Sequence, residues 1–508
     1  MHQLSELDAS FLYLESETTP MHIGGVYLFD ASSLETPVSY ATFIKYICSR
    51  LHVAPMFRQK LKEIPLRLGR PYWVDDTEFS IERHLAYVSL GERGKQSCVN
   101  ALAAKILEEP LKRDRPLWQI TFVDGFKLDT PDGDKDGFAL IVKLHHASID
   151  AFSGEEIMGK LLEYSPTPKA INPPSPWQPR TEPSEERVFL QAGANMLKAP
   201  MQFASLAFNT AEAAARSIVQ KQIHKLPLPR SLFTAPHCPF NSQITGNRSI
   251  VSANVDLARL KTIKAQLGDV TLNDVVLGLC AETLNRYLIT QGTKTSTPLV
   301  AMTPISVRSS SLRRATGNQM SAMLLNLATD EADPALRIRY IHHNAVKTEP
   351  YREAIAADRL TELLPSTLLA LSARLYSELR VGRSYQPLFN LPITNVPGPQ
   401  VPVYLQGARL VQQYNTAPLF DSMGLVIVAV SYEGTLTLTF TLCPDVVRDS
   451  ESLESLVHDS LDAIETRAEA AGEAAMDQLV GENPRTLSNE IYSFLEGLLK
   501  KRPLRFRR

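Results

Sequence analysis

The stretch that most constrains this chain is an apolar run that ends in two adjacent histidines. Residues 138–144 read Phe-Ala-Leu-Ile-Val-Lys-Leu, and His145 and His146 follow directly. A short run rich in β-branched and apolar residues predicts a buried strand. Residues 129–137 are full of turn-forming residues and predict a hairpin that joins this strand to another at residues 119–126. We therefore expect a sheet in which a buried strand ends at the two histidines.

The histidine pair and a nearby carboxylate form the candidate catalytic group. Asp150 lies four residues after His146. Imidazole titrates near neutrality, which suits it to taking a proton from a weakly acidic hydroxyl, and a strand end holds such a base rigidly. The alternative is that both histidines are hydrogen-bonded packing residues. A second pair, His342-His343, has Lys347 at the position matching Asp150 and no apolar strand before it, so it predicts an exposed helix face.

The composition is that of a globular protein with room for more than one core. The 508 residues suffice for two or more domains, and 44% are hydrophobic. The net charge of -2 gives no basic field for nucleic acid. Five scattered cysteines, none in a C-x-x-C pair, argue against a disulfide framework. No apolar run approaches the ~20 residues that cross a bilayer, and residues 1–8 do not resemble a signal peptide. We expect a cytoplasmic chain whose membrane contact, if any, is peripheral.

A proline-rich segment predicts the main division of the chain. Seven prolines fall within residues 165–187, a composition that forms an extended, semi-rigid connection, although a surface loop is the alternative. Residues 1–164 before it read as a mixed α/β domain. Residues 188–470 after it read as a second domain, and residues 471–508 as a separate tail.

Local patterns predict several elements of the second domain. Residues 188–225 indicate one or two amphipathic helices. Thr271 is a candidate N-cap for a helix that starts at the next residue. Residues 298–308 predict a strand and its exit. Residues 425–431 and 436–442 predict a hairpin, because the second arm alternates apolar residues with threonine.

The tail combines an apolar stripe with a basic end. Six apolar residues share one face of a predicted helix: Leu487, Ile491, Phe494, Leu495, Leu498 and Leu499. The basic segment at residues 500–508 follows at once. Such a helix can lie on an anionic membrane. The alternative is a docked terminal helix with a frayed basic end.

The sequence lacks the motifs of metal-binding proteins, serine esterases and nucleotide-binding proteins. The chain has no H-E-x-x-H or Cys/His ligand spacing, no G-x-S-x-G elbow, and no Walker or Rossmann glycine motif. We therefore expect no metal and no bound cofactor. Ser148 is interpreted as a loop residue rather than a nucleophile.

Several short blocks of this chain occur together in one known family. The blocks are His145-His146-Ala-Ser-Ile-Asp150-Ala151, Pro116-Leu117-Trp118, Asn273-Asp274, Asn395-Val396-Pro397-Gly398-Pro399, and the N-terminal segments at residues 7–12 and 20–24. With them the chain resembles the bacterial bifunctional wax ester synthase/acyl-CoA:diacylglycerol acyltransferases, from about residue 4 to about residue 445. The family's usual glycine after the aspartate is replaced by Ala151, and we expect the turn to survive because the side chain is small.

The resemblance implies a fold and a reaction. The fold is like that of chloramphenicol acetyltransferase: α/β (mixed), with two domains in one chain and an active-site tunnel at their interface. The reaction is attack of an alcohol hydroxyl on the thioester carbonyl of a fatty acyl-CoA. The implied partners are fatty acyl-CoA as a substrate, a long-chain alcohol or a diacylglycerol, and the inner membrane face or a lipid inclusion. The alternatives are a related acyltransferase with another acceptor, such as a polyketide diol or an amine, and a non-catalytic lipid-binding protein of this fold.

The resemblance also assigns roles within the histidine motif. His146 is the general base, and it returns its proton to the departing CoA thiolate. His145 points to the other side of the strand and packs or orients. Asp150 pairs with an arginine and holds the loop, with Arg308 as the candidate partner. A catalytic triad of Asp150 and His146 is the alternative.

The remaining blocks are expected to shape the site. Asn273, at a helix start, could donate to the oxyanion of the tetrahedral intermediate, or it merely caps the helix. Asn395 and Gly398 lie in a rigid turn that shapes the site or the domain contact, or Asn395 is a plain turn residue. Pro116-Leu117-Trp118 is expected to pack the core or the acyl channel.

Overall fold

The computed structural model describes most of the chain, with gaps. The described residues are 2–64, 70–128, 133–148, 154–168, 177–182, 184, 186, 235–293, 297–306, 320–348 and 387–481. Three of the residues discussed above, Asp150, Ala151 and Arg308, lie outside these ranges. So do the helices predicted at residues 188–225 and the tail from residue 482 onward.

Helices and strands alternate along the described ranges. The helices are α1 (Glu6–Leu14), α2 (Tyr40–Arg50), α3 (Gln96–Glu108), α4 (Gly154–Leu161), α5 (Leu257–Leu267), α6 (Leu272–Thr290), α7 (Pro334–Thr348) and α8 (Ser452–Gly481). The strands are β1 (His2–Gln3), β2 (His22–Asp30), β3 (Gln59–Lys62), β4 (Tyr72–Asp75), β5 (Leu85–Gly94), β6 (Trp118–Leu128), β7 (Lys135–His145), β8 (Ser249–Asp256), β9 (Val300–Ser306), β10 (Met320–Asn326), β11 (Leu391–Pro397), β12 (Tyr404–Leu405), β13 (Ala408–Thr416), β14 (Leu425–Tyr432) and β15 (Thr435–Leu442). Of the helices described, none is both long and apolar enough to pass through a bilayer.

The first large sheet places the histidine-bearing strand in its interior. Its order is β12-β13-β2-β7-β6-β5, and β7 pairs antiparallel with both β2 and β6. The hairpin predicted between the strands at residues 119–126 and 138–144 is therefore confirmed. Even-numbered β7 residues such as Leu140 pack with Phe43 of α2 on one face, and odd-numbered residues such as Ile141 pack with Val99 of α3 on the other. Burial of both faces explains why the run is apolar without alternation.

The second large sheet packs with four of the described helices. Its order is β10-β9-β11-β14-β15-β8, with β11 parallel to both β9 and β14. The predicted hairpin at residues 425–442 is confirmed as the antiparallel pair β14–β15. The helices α5, α6, α7 and α8 contribute to one core with this sheet. The predicted N-cap is confirmed as well, because the Thr271 hydroxyl accepts the Asp274 backbone N–H at 3.2 Å.

The second half of the chain contributes two strands to the first sheet. The strands β12 and β13, at residues 404–416, come from the second half of the sequence but lie in the first sheet, where β13 pairs antiparallel with β2. Further contacts join the halves: Arg248 Nη2 donates to the Thr18 carbonyl at 2.5 Å, and the Tyr414 hydroxyl bonds Asn100. The linear division at residues 165–187 stays a prediction, and the first sheet combines strands from both sides of it.

The described part of the proline-rich segment lies on the first domain. The Trp177 ring meets Phe79 edge-on, with ring centroids 6.5 Å apart. The Arg180 backbone N–H donates to an Asp75 carboxylate oxygen at 3.0 Å, and Glu182 pairs with Lys62 at 2.8 Å. Residues 177–182 are thus held against the surface that β3 and β4 form.

We predict that Gly398→Ala destabilises the fold by about 1–3 kcal/mol, the usual cost of overpacking. A Cβ atom at Gly398 would overlap the Ser431 carbonyl oxygen and lie 2.6 Å from the Gln413 side-chain nitrogen. The control is Gly159→Ala, since a Cβ there meets no atom within 4 Å. Chemical denaturation of the two variants and the parent measures the difference. Equal unfolding free energies for both variants would show that the turn tolerates a side chain.

Candidate active site

The two histidines lie where the ends of three strands meet. His145 is the last residue of β7, stands opposite His22 of β2, and donates its backbone N–H to the Leu117 carbonyl at 3.0 Å. The chain then enters a single 3₁₀ turn, His146–Ser148. The His146 backbone N–H donates to the Met21 carbonyl at 2.8 Å. Backbone hydrogen bonds to both neighbouring segments therefore fix the start of the turn.

The ring of His145 is fully buried and locks the turn that follows it. Its Nδ1 accepts the Ala147 backbone N–H at 3.0 Å, and its carbonyl accepts the Ser148 hydroxyl at 2.6 Å. A nitrogen that accepts carries no hydrogen, so the ring's proton lies on Nε2. That Nε2 lies 3.4 Å from Glu15 Oε1, an ion-pair separation that is long for a hydrogen bond. Ser148 is engaged with the backbone, as the loop interpretation expects.

His146 keeps exposed surface, unlike its neighbour. Its ring stacks on Phe11 of α1, with centroids 3.8 Å apart and planes at 23°. Its Nδ1 is buried and receives no hydrogen bond from any residue in the described ranges. Burial, and then repulsion from His145 when that ring is protonated, lower the pKa of His146 to about 4. At neutral pH the ring is therefore uncharged and can accept a proton.

A buried charge cluster surrounds His145. Glu15 ends α1, and its Oε2 accepts from Arg113 Nη2 at 2.7 Å. Burial by itself raises the pKa of Glu15, but the interactions with His145 and then with Arg113 outweigh it and lower the pKa to about 2. His22 Nε2 accepts the Leu111 backbone N–H at 3.2 Å and lies 3.7 Å from Glu15 Oε1. Burial, then Lys143 and His145, lower the pKa of His22 to about 3.

Sequence reasoning assigned no role to Glu15, His22 or Arg113. The block at residues 20–24 was noticed, but only as a resemblance. The spacing of apolar residues predicts strands, but it does not predict that residue 22 pairs with residue 145. The pairing follows from the β2–β7 register alone.

The Pro116-Leu117-Trp118 block packs behind the strand end. Trp118 is buried, donates its indole N–H to the Phe57 carbonyl at 3.1 Å, and stacks on His84 with centroids 4.4 Å apart. The Leu117 side chain joins a small core that includes Ala147. These contacts support the backbone hydrogen bond between Leu117 and His145. They are the contacts of packing residues, as the sequence predicted for this block.

The two candidate asparagines contact each other. Asn395 Nδ2 donates to Asn273 Oδ1 at 3.2 Å, and both side chains are exposed. The helix cap is made by Thr271 with Asp274, so Asn273 does not fill that role. Among the described residues, no hydrogen bond, ion pair or ring contact joins either asparagine to His146. The oxyanion role of Asn273 stays a prediction.

The prediction for the second histidine pair is wrong for one of its members. His343 is exposed, as expected, but His342 is half-buried and its Nδ1 lies 2.8 Å from Asp274 Oδ2. The reason is that α7 packs against α6 and carries one face of the pair into the helix interface. A helix face that looks polar in sequence is thus partly covered by the contact between the two helices.

Other predictions lie beyond what the structure describes. The loop role of Asp150, its pairing with Arg308 and the effect of Ala151 all fall outside the described residues and stay predictions. Within the described ranges, no group of three or more His, Cys, Asp or Glu side chains is arranged to hold a metal ion. All five cysteines are described, and each is a free thiol.

Comparison with known proteins identifies what the chain is similar to. A family model for the wax ester synthase/diacylglycerol acyltransferase catalytic domain matches residues 4–276, and a model for the family's C-terminal domain matches residues 316–465. A Mycobacterium tuberculosis protein provisionally named a diacylglycerol O-acyltransferase is 32% identical over 88% of this chain and 87% of its own. The O-acyltransferase WSD of Acinetobacter baylyi is 27% identical over 92% of this chain and 97% of its own.

Solved structures share the fold. The wax ester synthase/diacylglycerol acyltransferase from Marinobacter aquaeolei VT8 superposes with a TM-score of 0.65 at 24% identity, over 92% of this chain and 100% of that one. The first condensation domain of the calcium-dependent antibiotic synthetase superposes with a TM-score of 0.53 at 14% identity, over 92% of this chain and 96% of that one. The two-domain α/β fold expected from the sequence, like that of chloramphenicol acetyltransferase, is thereby confirmed.

We predict that the His146 ring titrates near pH 4, below the ordinary value of about 6.5, because the charged form is disfavoured by burial. Histidine ring ¹H–¹³C spectra recorded from pH 3.5 to 8 measure the midpoint. His146→Ala identifies the resonance by its loss. A midpoint near 6.5 for that resonance would mean that the ring is solvated rather than enclosed.

Proposed function

Because the chain belongs to the wax ester synthase/diacylglycerol acyltransferase family, we propose that it transfers a fatty acyl group from acyl-CoA to a hydroxyl group. The acceptor is a long-chain alcohol, which gives a wax ester, or a diacylglycerol, which gives a triacylglycerol. The observation that carries the proposal is the uncharged, partly exposed His146 ring, held in a backbone-locked turn at the end of a buried strand.

In the proposed reaction, the acceptor oxygen attacks the thioester carbonyl while His146 takes the hydroxyl proton. The new C–O bond forms a tetrahedral intermediate whose oxygen carries the negative charge. Collapse of that intermediate breaks the C–S bond, and the proton on His146 passes to the CoA sulfur. The proposal includes no metal and no cofactor, and acyl-CoA is a substrate.

The acidity of His146 decides how the two proton transfers proceed. An alcohol is about as weak an acid as water, whose pKa is about 15.7, so a ring with a pKa of about 4 cannot deprotonate it in advance. Proton removal must therefore accompany C–O bond formation. The return step is easy, because a thiolate of pKa about 8.5 binds a proton far more tightly than this ring does.

The neighbouring histidine is not suited to the same role. His145 is fully buried, its Nδ1 accepts the Ala147 N–H, and its Nε2 faces Glu15. Because the ring is fully buried, neither nitrogen is open to a substrate. Of the two rings, only that of His146 has surface to offer a substrate.

We propose that the site works at a lipid surface, because its acceptors are barely soluble in water. The support is in the sequence of the tail, where six apolar residues, spaced for one face of a predicted helix, precede a basic end at residues 500–508. Such a segment fits peripheral contact with an anionic membrane or a lipid inclusion. We also propose that the substrates meet in a tunnel between the two domains, as the resemblance implies.

The first test supplies palmitoyl-CoA with hexadecanol or with dioleoylglycerol, in buffer with EDTA, and follows free CoA. We expect release with both acceptors and esters as products. Release only with a different acceptor, such as a diol or an amine, would identify a related acyltransferase. No release with any acceptor from folded protein would favour a non-catalytic lipid-binding role.

We predict that His146→Ala lowers turnover by roughly 100-fold or more, because general base catalysis contributes on the order of 10²–10⁴-fold. The matched control is His343→Ala, the second member of the other histidine pair, which is exposed on α7 and should keep wild-type turnover. Circular dichroism checks that both variants are folded. Full activity in folded His146→Ala would refute the base assignment.

We predict that a chain ending at residue 486 binds liposomes containing phosphatidylglycerol more weakly than the full chain. Loss of the apolar stripe and the basic end removes both attractions. A chain ending at residue 499, which keeps the stripe, separates the two contributions. Sedimentation with liposomes measures binding, and equal binding by the chain ending at residue 486 would exclude the tail as an anchor.

A further inference from the structure

We propose that Glu15 is a positioning residue for acyl transfer, which acts through the ring of His145 to hold the turn that carries His146. The inference rests on the proposed function, because positioning matters only if His146 is the base. Glu15 acts on the backbone beside the base.

Burying a carboxylate at the position of Glu15 costs free energy, and a packing role alone does not explain that cost. Glu15 is the C-cap of α1, at the helix end where the dipole is negative, and its side chain is only 9% exposed. Replacing a buried ion pair by apolar residues of similar volume is often neutral or stabilising. A charge kept in this position therefore needs a reason beyond stability.

A continuous set of contacts leads from Glu15 to the turn. Arg113 Nη2 holds Glu15 Oε2 at 2.7 Å, which leaves Oε1 directed at His145 Nε2, 3.4 Å away. His145 Nδ1 in turn accepts the Ala147 N–H at 3.0 Å. The residue between these two anchors is His146. The carboxylate thus favours the one tautomer of His145 that can hold the Ala147 N–H.

Other polar groups beside His145 are engaged elsewhere. His22 Nε2 accepts the Leu111 N–H. Lys143 Nζ donates to the Ile106 and Glu109 carbonyls at 2.7 and 2.9 Å, near the end of α3. Neither group is directed at His145 Nε2, so the tautomer of that ring depends on Glu15.

The variant Glu15→Gln is the sharpest test. It keeps the shape of the side chain but can place an NH₂ donor where the carboxylate oxygen Oε1 accepts. Arg113 and the Met21 N–H, 3.4 Å from Oε1, both donate to the side chain of residue 15. An amide whose oxygen stays with Arg113 turns its NH₂ toward His145 Nε2. That nitrogen must then accept, the ring proton moves to Nδ1, and the bond from Ala147 is lost. Loss of the correct tautomer is known to disable catalytic histidines.

The chain offers a matched control in Glu163. Its side chain is 10% exposed, and it pairs with Arg50 at 2.5 Å, away from the histidine turn. Glu163→Gln therefore also removes one charge from a buried carboxylate–arginine pair. Any general effect of losing such a pair should appear in both variants.

We expect Glu15→Gln to lower kcat by roughly 10- to 100-fold, with the KM values for palmitoyl-CoA and hexadecanol unchanged, because misplacing a base by about 1 Å costs up to about 100-fold. Glu163→Gln should keep the wild-type kcat. A merely structural role for Glu15 would lower the melting temperature of both variants and leave kcat per folded enzyme unchanged. That result would overturn the inference.

Hydrogen exchange at the Ala147 amide tests the same inference without turnover. We expect faster exchange there in Glu15→Gln than in the wild type, and wild-type exchange in Glu163→Gln. Unchanged exchange in Glu15→Gln would overturn the positioning role. If the wild type releases no CoA, the proposed function fails, and the exchange result alone then decides whether Glu15 holds the turn.

Discussion

The antiparallel pairing of β7 with β2 on one side and β6 on the other is the constraint on which the site depends. It brings residues from positions near 20, 115 and 145 to one edge of the sheet. At that edge the Met21 carbonyl accepts from His146 and the Leu117 carbonyl accepts from His145. The turn is therefore held by backbone hydrogen bonds to both neighbouring segments, and the His145 ring adds a further bond by accepting the Ala147 N–H. A side chain fixed in this way loses little entropy when a ligand binds.

Burial at the sheet edge has opposite consequences for the two histidines. His145 is enclosed completely, and its ring is used to hold the turn. His146 is enclosed enough to lower its pKa to about 4, yet keeps surface exposed. The difference arises because the strand ends at His145 and the chain then turns, with Phe11 of α1 covering one face of the His146 ring. A single residue step thus separates a ring that is fully enclosed from one that keeps surface open to solvent.

Much of the local structure could be predicted from the sequence. The Thr271 cap and both hairpins are present, because turn residues, helix caps and the spacing of apolar residues each act over only a few residues. The pairing of His342 with Asp274 and the place of β13 in the first sheet could not be predicted. Both join positions that are far apart in sequence and leave no trace in the local pattern.

The sequence by itself determined that a buried strand ends at His145-His146, and its motif blocks were enough to indicate the family. These features are local, so adjacent residues specify them. Only the tertiary structure decided that Glu15, Arg113 and His22 surround His145, because the register between β2 and β7 and the docking of α1 bring them there. The free-energy cost of burying the Glu15 carboxylate also depends on the tertiary structure. The same glutamate would be an ordinary surface residue if α1 packed elsewhere.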